Sequence, residues 1–366
     1  MALSLPDSGQ HLDPTSALPP LPPDVDLTCG GQLQPGGHRI REILHDDSDH
    51  LPLWQSGKII LEALNRAGYK YHEMPRMLYR LARLYMQASV PHDTEVICEA
   101  DEYAEKVVLE FIGRFVREGS CLHGRDHLVQ AMDMNRQGKS VQFYCMPHLS
   151  AMDPIFLKIL LQREAEGTNV RPHQEAAEQM FNQLIVLIGH KVLHNRFRRA
   201  FSQAVNAVFT IPPKYRADLE PEVKQLLATH SWNVGHIVEA LRSDPRWAMF
   251  LCPEGGFTRE RQLGIQTMTA QVPSDTYIAP IFTDEPEGFM RHDLGEAMNM
   301  EPSPVHMFFG KPFQLEPGGR RQRVSALITT CRNNCAAVGA PVRKYRWGYM
   351  KRSLDEESGQ EFVEIG

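Results

Sequence analysis

The sequence predicts an α/β fold: a mostly parallel mixed sheet flanked by helices, with a smaller helical bundle in front of it. Three observations lead there. From about residue 121, short apolar runs of strand length alternate with stretches of helical period. Residues 38–118 carry the helical period alone. No apolar run reaches 18 residues, so no membrane-spanning helix is expected.

The elements follow in order. Residues 1–37 are rich in Pro and polar residues and hold four Asp with no Lys or Arg. Secretory signals and transit peptides need basic residues there, so the segment reads as a disordered leader. Its "ALPPLPP" is a linker or a polyproline ligand. In 38–118, "GKIILEALNRAGY", "EMPRMLYRLARLYMQASV" and "ADEYAEKVVLEFIGRFVREG" repeat apolar residues at steps of three and four, which predicts a helical bundle. Residues 119–345 form the α/β domain. Its strand candidates are "SVQFYCM", "QLIVLI", "NAVFTI", "WAMFLC", "YIAPIF" and "PVHMFFG". Helices are predicted at "DPIFLKILLQREAE", "FRRAFSQAV" and "NVGHIVEALRSD". Residues 346–366 form a charged tail.

Composition narrows the function. With 42% hydrophobic and 23% charged residues the chain reads as a water-soluble, globular protein. Its net charge of −6 argues against nucleic-acid binding. The seven cysteines are scattered, as expected of reduced thiols in the cytoplasm. Only Cys331 and Cys335 are close, at helical spacing, and two ligands are too few for zinc. No metal is therefore expected.

Two stretches carry chemistry. In "YCMPHLSAMDPIF", Pro147 breaks a strand and leaves His148 just past its carboxyl end. Ligands of parallel sheets collect at such ends. Asp153 followed by Pro154 has the grammar of a helix cap. Asp153 is thus either a cap or the carboxylate that orients a catalytic imidazole. No G-x-S-x-G elbow supplies a nucleophile, so His148 would act on a substrate hydroxyl. The second stretch, "WAMFLCPEGGFTRERQ", is a strand running into a glycine turn. Gly255 and Gly256 allow close backbone approach to a ligand. Arg259 and Arg261 suit a phosphate or carboxylate, or form a solvated face.

Together, His148-x4-Asp153 and Pro253-Glu254-Gly255 resemble the paired motifs of the glycerolipid acyltransferase superfamily. Cys252 stands where that family usually has Phe, and Ser150 fits its H-x-S form. The residues "GHKVLHNRFRRAFSQAVNAVFTIPPKY" are similar to the second motif region of the soluble glycerol-3-phosphate acyltransferases of plastids and some bacteria. Gly189, Phe201, Ser202 and Asn206 fall at similar spacing, and Pro280 of "YIAPIF" matches a fourth motif. The likeness covers about residues 70–335.

The resemblance implies transfer of a fatty acyl group from acyl-CoA or acyl carrier protein to glycerol 3-phosphate. His148 would be the base and Asp153 its orienter. Lys214, Arg259 and Arg261 would hold the phosphate, with Glu254, Gly255 and Gly256 shaping the acceptor site. No cofactor is implied. Two departures bear on the acceptor: Tyr215 stands where the family has His, and Phe257 where it has Arg. Lysophosphatidate or another alcohol stays open as acceptor, as do water, which would make the chain a thioesterase, and a non-catalytic lipid- or carrier-binding role. Arg198 and Arg199 suit contact with anionic lipid or an acidic carrier protein, or form a solvated helix face.

Overall fold

The computed structural model describes residues 53–88, 98–148, 150, 152–189, 196–210, 247–253, 272–284 and 301–344. Three helices come first: α1 (Leu53–Arg66), α2 (Met74–Gln87) and α3 (Glu102–Gly113). Pro75 in the first turn opens α2, and Met77, Leu81 and Leu84 fall on its buried face. Asp101 caps α3, accepting from the Ala104 amide at 2.7 Å.

Among the described residues the sheet has eight strands, in the order β1-β7-β6-β2-β5-β3-β4, with β8 paired to β6. They are β1 (Cys121–His123), β2 (Val141–Cys145), β3 (Leu184–Gly189), β4 (Asn206–Thr210), β5 (Ala248–Leu251), β6 (Tyr277–Asp284), β7 (His306–Phe309) and β8 (Phe313–Gln314). Strands β2 to β6 pair in parallel, and β1 is parallel to β7. Strands β7 and β8 run antiparallel to β6, which makes the sheet mixed. All six predicted strands are present. The sequence missed β1 and β8, which are only three and two residues long and contain no apolar run.

The helices flanking the sheet are α4 (Arg125–Arg136), α5 (Asp153–Gly167), α6 (Arg171–Gln183), α7 (Arg196–Ser202) and α8 (Arg320–Ala337). Two cores result. One face of the sheet, with Phe143, Ile281 and Phe309, shares a contiguous core with α1–α7. The other, with Tyr144, Phe282 and Phe308, packs on α8, whose Cys331 and Cys335 are both buried. Among the described residues no helix is long and apolar enough to cross a membrane.

Helix α5 is buried almost all round along its first three turns, Lys158 included. A buried ammonium is costly unless paired. Lys158 Nζ donates to Glu105 on α3 and to the Ala204 carbonyl, and lies 4.5 Å from the centre of the Phe181 ring. This pairing ties the helix that carries Asp153 to the N-terminal helices.

Candidate active site

Strand β2 is buried on both faces and lies between β5 and β6. Its pairing with β6 extends to Met146, whose amide donates to the Ile281 carbonyl at 2.9 Å. The Met146–Pro147 bond is cis. The chain turns there, presents His148 and enters α5 at Asp153. Tyr144 of β2 pairs with Leu251 of β5, so the two motif-bearing strands are neighbours that end side by side.

His148 Nδ1 donates to Asp153 Oδ2 at 2.7 Å. The Asp153 side chain has no solvent exposure and that of His148 is 11% exposed. Asp153 is not the helix cap. It is the first residue of α5, and Met152 stands at the capping position. Asp153 Oδ2 also accepts from the Ser150 amide at 3.4 Å. Ser150, fully buried, shapes the loop: its Oγ accepts from the Met152 amide at 3.0 Å and its carbonyl from the Asp153 amide at 3.2 Å. The carboxylate sits in the first turn of α5, where the helix dipole favours negative charge.

The structure adds two thiols. Cys145 ends β2 and Cys252 follows β5. Their sulfurs and a carboxylate oxygen of Asp153 lie within 4.8 Å of one another. Burial pushes the Cys252 thiol up, but hydrogen bonds from Cys145 and His148 outweigh it and hold the thiol below its ordinary value. Cys145 shifts the opposite way: its bond to Cys252, together with burial, keeps it protonated well above the usual range. Burial likewise pushes His148 toward the neutral form, and the charges of Cys252 and Asp153 overcome it, so the imidazole sits well above its usual value. A Cys252–His148–Asp153 line is the pattern of nucleophile, base and orienting carboxylate. In the sequence, Cys252 showed only as a departure from the motif, and nothing marked Cys145.

Lys214, Glu254, Gly255, Gly256, Arg259 and Arg261 lie outside the described residues, as do Tyr215, Phe257 and the predicted helix "NVGHIVEALRSD". The described chain stops at Pro253, one residue short of Glu254. Other residues singled out by the resemblance have structural partners. Asn206 Oδ1 accepts from the Ala100 amide and its Nδ2 donates to the Leu184 carbonyl, both at 2.9 Å. Ser202 Oγ donates to the Arg199 carbonyl at 2.8 Å. Arg199 is itself buried, because Ala200 and Phe201 beside it pack α7 into the core, so of the two arginines proposed to contact lipid only Arg198 reaches the surface. Predicted through residue 205, the helix ends at Ser202, where the chain turns into β4.

No family model matches the chain, and no curated protein sequence matches it.

Proposed function

We propose that this protein is an acyltransferase that moves an acyl group from a thioester, acyl-CoA or acyl carrier protein, to an alcohol, with glycerol 3-phosphate as the acceptor to test first. The carrying observation is the 2.7 Å His148–Asp153 bond at the end of β2, beside the end of β5 that leads into Pro253-Glu254-Gly255. The resemblance of both stretches to acyltransferase motifs supports the same reading. In it, His148 removes the acceptor's hydroxyl proton as the oxygen attacks the thioester carbonyl. Asp153 holds the imidazole in the tautomer whose Nε2 is basic and stabilises the imidazolium. When the tetrahedral intermediate collapses, the thiolate leaves and takes the proton from His148. The products are an ester and a free thiol. Lys214, Arg259 and Arg261 are the proposed phosphate ligands, and Glu254, Gly255 and Gly256 the proposed acceptor-site residues.

Cys252 favours a second route to the same products. Its lowered thiol could take the acyl group first, forming a thioester on the protein, before His148 activates the alcohol. The reading places the protein in the cytoplasm, where thiols stay reduced. Peripheral membrane contact would have to rest on Arg198 rather than on both arginines.

The experiment is thiol release from long-chain acyl-CoA and from acylated carrier protein, with and without glycerol 3-phosphate. Release that requires the acceptor supports transfer, and release without it means hydrolysis. Initial-rate patterns then separate the routes: intersecting lines for direct transfer, parallel lines for a Cys252 acyl-enzyme.

A further inference from the structure

Away from His148, three side chains from β1 and β7 meet at one point. Cys121 and His306 are paired across the two strands, and His123 lies two residues along β1 on the same face. Cys121 Sγ is 3.2 Å from His123 Nε2 and 3.4 Å from His306 Nδ1, and the two nitrogens are 3.3 Å apart. All three residues are half-buried.

These separations can be compared with a metal's bond lengths. Zinc bonds of about 2.3 Å to sulfur and 2.0–2.1 Å to nitrogen, at tetrahedral angles, put two nitrogens about 3.3 Å apart and sulfur about 3.5 Å from each. A planar trigonal set would need about 3.5 Å or more throughout. The observed triangle matches the tetrahedral nitrogen spacing and is a few tenths of an ångström tight at sulfur. A point about 1 Å above its plane lies within bonding distance of all three atoms.

The surroundings hold the triangle in place. The His123 ring stacks on Phe308 at 4.3 Å between centroids, 7° from parallel. Leu122 between the ligands is buried in the opposite core, which fixes the face that Cys121 and His123 share. The Val305 amide, next to His306, donates to Ser120 Oγ at 2.9 Å. Gly124 follows the last β1 ligand with a φ of +69°, and a Cβ there would sit 2.0 Å from the Phe309 carbonyl oxygen. The register of β1 on β7 is thereby locked. Arg125, the next residue, is ion-paired with Glu164 of α5 at 2.8 Å, which offsets its charge near the site.

We propose that Cys121, His123 and His306 form a binding site for a divalent ion of the zinc class, with a fourth position open to water. The site joins β1, an edge strand of three residues, to β7. The sequence concealed it because Cys121 and His306 are 185 residues apart.

The test uses the full chain, stripped with chelator and reloaded with zinc or with cobalt(II). We expect about one zinc per chain, a thiolate-to-cobalt charge-transfer band, and a melting temperature that rises with zinc. His306→Gln and Cys121→Ser should each weaken zinc binding more than about 100-fold and abolish the zinc-dependent rise. The control Cys98→Ser should behave as wild type. Wild type that holds no zinc, or gives no thiolate band with cobalt, overturns the proposal without any variant having to fold. Zinc affinity left unchanged, or a thiolate band that persists, in Cys121→Ser overturns it too, since the ion would then lie elsewhere, as at Cys145, Cys252 and Asp153.

Discussion

Replacing Asp153 by Asn tests the proposed role of this carboxylate while changing almost no volume. The structure sets the size of the effect. Asp153 is fully buried, and its bond to His148 Nδ1 is short at 2.7 Å. Hydrogen bonds to a charged group contribute about 1.5–3 kcal/mol. Loss of that stabilisation of the imidazolium alone predicts a fall in kcat of about 10- to 150-fold. The amide can also present its NH2 to Nδ1 and force the other tautomer, placing the proton on the nitrogen that should act as base. The same exchange in a Ser-His-Asp triad costs about 10⁴-fold. The expected loss in Asp153→Asn is therefore about 10²- to 10⁴-fold in kcat, with KM for the acyl donor little changed. The assay is thiol release at saturating donor and acceptor, with circular dichroism to verify the fold. A folded Asn variant within threefold of wild type would refute the reasoning and leave Asp153 a structural residue.

The pH profile tests Cys252. His148 sits above its ordinary value, so the acid limb of kcat/KM should lie at higher pH than for a free imidazole, with activity lost as pH falls through it. Cys252→Ala removes the first of the charges that raise His148 and should move this limb to lower pH; an unmoved limb contradicts the coupling. If Cys252 carries the acyl group, the same variant loses activity altogether at every pH. Glu105→Gln leaves the buried Lys158 ammonium without its carboxylate and should cost about 3 kcal/mol in urea unfolding, with no loss expected if the pair is only incidental. Gly124→Ala combines a left-handed backbone with the clash at Phe309 and should destabilise by about 2–4 kcal/mol, read as a lower urea midpoint at unchanged slope.

The legible parts of this protein are those where burial imposes a period. The six apolar runs are strands because they pair in one sheet with one or both faces covered, and the run from Asp153 to Gly167 is a helix buried all round as far as Leu161. Strands β1 and β8 carry no such signal. Neighbouring strands define them, through pairings such as Cys121 with His306 and Phe313 with Ile278. His148 and Asp153 were legible as a pair, but local grammar could not separate cap from orienting carboxylate. The bond from Nδ1 to Oδ2 and the Ser150 loop make that distinction, and both depend on the turn between β2 and α5. The cluster of Cys145 and Cys252 was not legible, because it arises from the adjacency of β2 and β5, whose pairing no local pattern encodes. Arg199 resembled a surface charge by its neighbour Arg198, yet a helix of seven residues packed by Ala200 and Phe201 turns one of two adjacent arginines inward.

The most direct test of the central claim is thiol release from a long-chain acyl-CoA or acylated carrier protein by wild type and His148→Ala, with and without glycerol 3-phosphate. The account predicts acceptor-dependent release by wild type and at least a 10³-fold loss in the folded variant. Undiminished release by His148→Ala would contradict the assignment of the base, and release by wild type that ignores the acceptor would contradict acyl transfer.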